Sequence, residues 1–183
     1  MKPIHRALLV LMLLPLLLGA STPYQPTIER VYGWKSLVEE ACPDMDPLLI
    51  LSIIAQESNG NPKAIREEGS GLESVGLMQI MTFSWRPSKE WLLVPKNNIE
   101  YGCRILRQIQ DKGDLSYQLA IYNCGEVRVR ENRCGPYGGY AYSEQVLLVW
   151  YPILFEYGGH VRFLRRMELI HFKLRLKNLD SLF

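Results

Sequence analysis

A mainly α-helical, single-domain protein is predicted by three observations on the 183-residue sequence. Apolar residues recur at helical spacing in Val31, Trp34, Leu37, Val38 and Ala41, and again in Ile99, Cys103, Ile105, Leu106 and Ile109. Between these lies a nearly unbroken apolar run from Leu48 to Ala55, with a helix-start signal before it and a helix-stop signal after it. With the leader described next set aside, about 160 residues remain, enough for one domain with a real core. No internal repeat or low-complexity tract divides them.

Residues 1–20 read as a signal peptide: Lys2, His5 and Arg6 form a basic start, Ala7 to Leu18 an apolar centre, and Gly19-Ala20-Ser21 a small-residue exit. The apolar stretch is short of the roughly 20 residues that a membrane span needs. No Cys near the exit offers a lipid-anchor site, so an exported, soluble, periplasmic chain is expected. Residues 21–27 are polar and Pro-containing, a loose tether, and Ile28 to Ala41 is expected to be one amphipathic helix. The helix over 46–58 starts with Asp46 as N-cap and Pro47 at the first helical position. Asn59-Gly60-Asn61-Pro62 stops it. Lys63 to Ser74 is rich in Glu and Gly and reads as an exposed loop, Val75 to Trp85 as a compact apolar segment, and Pro87 to Lys96 as a loop carrying Trp91. Asn97 to Lys112 is a helix ended by Gly113, and Leu115 to Asn123 another that closes at Cys124-Gly125. A glycine-rich loop spans Gly135 to Gly139, and Tyr142 to Phe155 is a hydrophobic segment broken by Pro152.

Beyond Gly158-Gly159 the composition changes. Residues 159–183 carry Arg162, Arg165, Arg166, Lys173, Arg175 and Lys177 against only Glu168 and Asp180. Phe163, Leu164, Met167, Ile170 and Leu174 keep helical spacing, which makes this a basic amphipathic extension. Such a tail either packs its apolar side on the body or touches an anionic membrane surface or a protein partner.

The full chain carries a formal charge of +2, and loss of Lys2 and Arg6 with the leader takes its 21 basic residues to 19, equal to its 19 acidic ones. That balance argues against nucleic-acid binding. All four cysteines, Cys42, Cys103, Cys124 and Cys134, lie beyond the leader, and an even number in an exported chain favours disulfides. Of the three possible pairings, Cys124 with Cys134 is favoured because they lie ten positions apart and bracket a polar loop, and Cys42 with Cys103 follows by default. Zinc is disfavoured, since the spacing is not that of paired metal-binding knuckles and only His160 and His171 lie downstream. No metal and no cofactor is expected.

Glu57 is the residue on which chemistry centres. It ends the apolar run and is followed at once by Ser58 and the helix-stopping cluster, so a buried helix delivers a carboxyl group into a turn. Desolvation disfavours a carboxylate and raises its pKa towards the range where a protonated acid survives near neutral pH. Alone, the same pattern also suits a helix-ending Glu that faces water.

Four separated segments then line up: Gln56-Glu57-Ser58 with Asn61-Pro62; Gly76-Leu77-Met78-Gln79-Ile80; Leu119-Ala120-Ile121-Tyr122-Asn123 with Gly125; and Tyr142 with Val146-Leu147. Between them, Asn97-Asn98-Ile99-Glu100-Tyr101-Gly102 matches an Asn-Ile-x-x-Gly pattern. In this order the segments resemble the lytic transglycosylases with the soluble lytic transglycosylase (SLT) catalytic domain, relatives of goose-type lysozyme, over about Val31 to Leu148. The resemblance implies a lysozyme-like domain over 28–158 with a catalytic cleft, and Glu57 as the single acid/base in cleavage of peptidoglycan glycan strands. It implies that the N-acetyl group of the sugar stabilises positive charge and that its C6 hydroxyl attacks, leaving 1,6-anhydro-muramic acid ends. It assigns substrate contacts to Ser58, Met78, Gln79, Tyr122, Asn123 and Tyr142, and brings Tyr122 close to the catalytic carboxyl.

The sequence departs from the family at two places. Met81-Thr82-Phe83 stands where the family has a Pro after Gly-Leu-Met-Gln, and the acidic stretch Glu67 to Glu73 is longer than the usual connection. A carboxylate of Glu67, Glu68 or Glu73 about 6.5–9.5 Å from Glu57 would activate water and give inverting hydrolysis instead. A rival from another class is a non-catalytic peptidoglycan-binding or assembly protein of a secretion or conjugation machine. A third reading is a small wall-opening enzyme recruited by a secretion, conjugation or phage machine, with the basic tail as its docking element. A monomer is expected.

Overall fold

The computed structural model describes residues 25–159 and 161. The leader over 1–20 and nearly all of the basic extension lie outside the described residues. Helix α1 (Gln25–Tyr32) opens the fold, so the last residues of the expected tether are already helical. It is followed by α2 (Lys35–Ala41), α3 (Pro47–Ser58), strands β1 (Ile65–Gly69), β2 (Leu72–Val75) and β3 (Ile80–Met81), then α4 (Lys89–Leu92), α5 (Pro95–Ile109), α6 (Leu115–Cys124), α7 (Glu126–Arg130) and α8 (Tyr140–Glu144). A π-helical stretch, Gln145–Trp150, continues α8, and the chain stays helical over 151–159. The domain is thus mainly helical, with one small antiparallel sheet in the order β1-β2-β3.

The central element is α3. The Asp46 carboxylate accepts from the Leu48 amide at 2.9 Å, Pro47 fills the first turn, and Asn59 ends the helix in the left-handed region at φ 52. Ile50, Leu51, Ile53 and Ile54 are wholly buried. Each contributes roughly 1.5–3 kcal/mol through apolar burial. The helix packs against α1, α2 and the π-helical stretch. The second long helix, α5, packs against α2, α4, α6 and β3, and presents Ile99, Cys103 and Leu106 to the core.

Two disulfides reinforce these contacts. Cys42 after α2 is joined to Cys103 of α5 with Cα atoms 6.3 Å apart, and Cys124 to Cys134 with Cα atoms 5.7 Å apart, the pairing expected from the sequence.

Four local expectations are corrected. Ile28 to Ala41 is two helices: Trp34 N bonds Val31 O at 3.1 Å in a tight turn, and its indole donates to Gly60 O at 3.0 Å, pinning the corner against the end of α3. A tertiary hydrogen bond overrides a pattern that periodicity alone would continue. Lys63 to Ser74 is a β-hairpin: Ser70 (φ 52) and Gly71 (φ 74) form the two-residue connection that twisted strands favour, and Gly69 pairs with Leu72. Every residue of β1 is exposed, so the strand has no apolar alternation to announce it. Pro152 does not break its segment, because the wide π-helical turn directly before it accommodates the missing N–H. In the expected loop over Pro87 to Lys96, Ser88 caps the short helix α4, and α5 begins at Pro95.

The turn between β2 and β3 is held by Asn98 near the start of α5. This amide is fully buried; Nδ2 donates to Val75 O at 2.8 Å and Leu92 O at 2.9 Å, while Oδ1 accepts from Met78 N at 2.8 Å. Gly76 makes the approach possible. A Cβ there would stand 2.3 Å from Asn98 Nδ2 and 2.9 Å from Leu92 O, at a φ of +79. Gly76→Ala is therefore expected to lower stability by roughly 2–4 kcal/mol through backbone strain and a broken buried amide network. Urea unfolding checks this, and a loss under about 0.5 kcal/mol would show that the contact is slack.

Candidate active site

Glu57 occupies the last turn of α3, one residue before the end of the helix, and is half-buried beside the apolar core. Burial pushes its carboxyl up to about 7 from an ordinary 4.5; the Tyr142 hydroxyl and the Arg66 charge pull it down, and Glu68 adds a further upward push. A rise of this size corresponds to roughly 3 kcal/mol held against the ionised form. The four buried aliphatic residues of α3 outweigh it together at roughly 6–12 kcal/mol. The helix can therefore carry its acid into the domain.

Two phenols flank this carboxyl. Tyr122, in the last turns of α6, donates its hydroxyl to Met78 O at 2.8 Å. With its only proton committed, its oxygen is left to accept from a protonated Glu57. Tyr142 of α8 is buried at 3 % exposure, and its hydroxyl closes no hydrogen bond of standard geometry. The same hydroxyl nonetheless lowers the Glu57 pKa as a donor does, and we read it as a donor facing the carboxyl without full contact. Burial, then the Glu57 charge, holds both phenols well above the ordinary tyrosine range, so both stay neutral.

The remaining expected residues build the wall rather than line it uniformly. Ser58 Oγ lies 2.8 Å from Leu77 O and 3.1 Å from Ile54 O, so its one proton is directed to backbone carbonyls and ties α3 to the turn after β2. Met78 is fully buried, and its sulfur packs on Gly102 of α5, where a Cβ would come within 2.4 Å. Its side chain is packed in the core, and its backbone carbonyl accepts from the Tyr122 hydroxyl. Gln79 is half-buried with φ 47, a conformation rare outside Gly, and its amide nitrogen donates to Gly76 O at 3.0 Å and Ala64 O at 3.2 Å. Asn123 is exposed, and its Oδ1 accepts from Gly139 N at 3.0 Å, which joins the end of α6 to the start of α8.

The acidic stretch reaches the site through its charges. Between Glu67 and Gly69 the β1–β2 register slips, leaving Glu68 as a bulge residue. Its carboxylate accepts from Arg66 Nε at 2.8 Å and from Ser74 Oγ at 2.6 Å. Burial raises the Glu68 pKa, but these two partners outweigh it and the net shift is downward. Glu73 is paired with Lys89 at 2.7 Å, and Glu67 is exposed. Among the described residues no group of three or more His, Cys, Asp or Glu is placed to hold a metal ion.

Sequence reasoning missed Asn98 and Arg66 as functional residues. Asn98 was visible only as part of a matching motif, although a polar side chain on the inner face of an apolar helix is itself a signal. Arg66 carried no signal in the sequence, because its influence depends on the hairpin folding back towards Glu57. Gln56, directly before the acid, accepts at Oε1 from the Trp150 indole at 2.9 Å and couples α3 to the helix that carries Tyr142.

A buried acid between two phenols, under a turn built on Gly-Leu-Met-Gln, defines a lysozyme-like acid site. The model of the family described as "Transglycosylase SLT domain" matches residues 37–139, more than half of the sequence, and the chain belongs to that family. It is 34 % identical over 110 residues to proteins named "Endo-type membrane-bound lytic murein transglycosylase A" from two strains of Klebsiella pneumoniae, ATCC 700721 / MGH 78578 and 342. The alignment covers 51 % of this chain and 52 % of each relative, so the chain spans about half the length of the curated relatives it matches.

The raised carboxyl has a consequence for stability. Between pH 4.5 and about 7 the folded Glu57 keeps a proton that the unfolded chain releases, so its contribution to stability falls as pH rises through that window. Glu57→Gln should match the parent at low pH and exceed it by up to roughly 3 kcal/mol above neutrality, measured by chemical unfolding across pH. An advantage independent of pH would contradict the assignment. Arg66→Gln, by removing a stabilising positive charge, should move the Glu57 titration to higher pH, and carboxyl NMR would detect a shift of the opposite sign.

Proposed function

We propose that this chain is a peptidoglycan lytic transglycosylase that cleaves the β-1,4 bond between N-acetylmuramic acid and N-acetylglucosamine, with Glu57 as its single acid/base. The observation that carries this reading is one carboxyl poised at about 7 beside two neutral phenols, while the neighbouring Glu68 and Glu73 are held by cations. An acid of that pKa is still substantially protonated at neutral pH and suited to general acid catalysis.

In the proposed reaction Glu57 gives its proton to the glycosidic oxygen as the bond from the muramic C1 breaks. The N-acetyl oxygen of that sugar shares the positive charge at C1. The Glu57 carboxylate, now faced by the Tyr142 hydroxyl, accepts the proton of the C6 hydroxyl as O6 bonds to C1. The proton returns to Glu57, no water is consumed, and a 1,6-anhydro end results. Asn98, Ser58 and Tyr122 act on this chemistry by holding the Gly76–Gln79 turn, with Gln79 and Asn123 as polar contacts for the sugars and the buried Tyr142 acting on Glu57.

We place the catalytic domain over 28–158, preceded by the signal peptide and tether and followed by the basic extension, and propose that it works as an exported, periplasmic monomer. Among the described residues no helix is long and apolar enough to cross a membrane. A second reading draws on one observation: Glu68, displaced by the bulge, raises the Glu57 pKa through its charge. As a base for water it would make the enzyme an inverting hydrolase, but its pairing with Arg66 and Ser74 disfavours that role.

Mass analysis of digested sacculi separates these readings. Ends lacking the elements of water are expected, and reducing ends alone would transfer the assignment to hydrolysis. Binding without digestion would favour the non-catalytic rival. Glu57→Gln should lower turnover by at least about 100-fold while the fold persists; retained activity would refute Glu57 as the acid. In the parent enzyme, kcat/KM should decline as pH rises through about 7, because the free enzyme loses its acid there.

A further inference from the structure

The segment that replaces the family's Pro, Met81-Thr82-Phe83 with Ser84-Trp85-Arg86, builds a feature of its own. The Phe83 and Trp85 rings are stacked, with centroids 4.6 Å apart and planes within 8°. Trp85 is 76 % exposed, so one face lies on Phe83 and the other is open to solvent. The Arg86 guanidinium sits 5.1 Å from the Phe83 centroid and 6.0 Å from that of Tyr101, and Nη1 donates to Met81 O at 3.0 Å. Among the described residues Arg86 pairs with no carboxylate. It therefore presents a held cation with donors to spare, in the forked geometry that suits a carboxylate.

This patch adjoins the acid site. Phe83 follows Gln79 by four residues, a reach of at most about 14 Å even if fully extended. The positive charge of Arg86 acts on the Tyr122 phenol, which stands beside Glu57. A rigid aromatic face suits the C–H face of a pyranose ring, whose weakly positive hydrogens meet the negative face of the indole.

Resting on the peptidoglycan reading above, we propose that Phe83, Trp85 and Arg86 form a distal subsite for the glycan strand. A sugar ring lies on the open face of Trp85, and a carboxylate of the peptide borne by that strand pairs with Arg86. Phe83 orients the indole. The patch thereby distinguishes peptide-bearing strands from bare ones, a selectivity that the acid site alone does not supply.

The test compares the full-length parent, Trp85→Ala, Arg86→Gln and Arg86→Lys on purified glycan strands with their peptides and on strands stripped by an amidase. Trp85→Ala should raise KM by about 3- to 10-fold on both substrates with kcat unchanged. Arg86→Gln should raise KM on peptide-bearing strands only, with Arg86→Lys partly restoring it. An unchanged KM for Trp85→Ala, or an equal effect of Arg86→Gln on both substrates, overturns the subsite while leaving the reaction intact. If the parent cleaves neither substrate, co-sedimentation with sacculi decides: weaker binding by Trp85→Ala supports the subsite although the reaction reading fails, and unchanged binding removes it.

Discussion

The side-chain amide of Asn98 lies fully buried between α5 and the turn after β2, where it bonds Val75 O, Leu92 O and Met78 N. Leaving a buried polar group unpaired costs about 1–3 kcal/mol. One planar amide satisfies all three, and in doing so fixes the path of Gly76 to Gln79. The site then hangs on that path: Ser58 reaches Leu77 O from α3, Tyr122 reaches Met78 O from α6, and Met78 itself is driven onto Gly102 of α5. Three helices are thus registered against one turn, and their meeting point surrounds Glu57.

The acid exists at the expense of local stability. Its ionised form is disfavoured by about 3 kcal/mol relative to water, a large share of what a domain of this size retains on folding. The aliphatic face of α3 outweighs that penalty, and the disulfide between Cys42 and Cys103 ties the end of α2, which packs on α3, to α5. The surroundings also temper the shift. Tyr142 and Arg66 favour the carboxylate while burial and Glu68 oppose it, so the group is left near the midpoint of its titration at neutral pH rather than locked in one form. The proposed reaction, in which the same carboxyl acts as acid and then as base, requires that balance.

Much of the site could be read without coordinates because its signals are local. Asp46-Pro47 and Asn59-Gly60 mark the ends of α3, its buried positions are aliphatic almost without interruption, and the carboxyl group follows directly. The pairing of Cys124 with Cys134 was legible for the same reason, as a short loop between two cysteines. Met78 shows the limit: a motif position says that the residue matters, not which of its atoms does, and here the side chain is core while the carbonyl serves the site. Ser58 has the same character, since its hydroxyl works on a backbone carbonyl. The hairpin escaped notice because β1 buries nothing, and strand periodicity is visible only where one face is apolar.

Helix content, the position of the acid and the order of the motifs were determined by the sequence alone, because each depends on neighbours a few residues away and on the demand that apolar surface leave water. Tertiary structure alone decided how strongly Glu57 is perturbed, which hydroxyl faces it, and that a hairpin of charged residues bears on its titration. Those outcomes depend on distances between groups separated along the chain, Glu57 with Tyr142 and Arg66, and Met78 with Asn98 and Tyr122. Coulomb and hydrogen-bond energies vary steeply over those distances, and only the folded chain sets them.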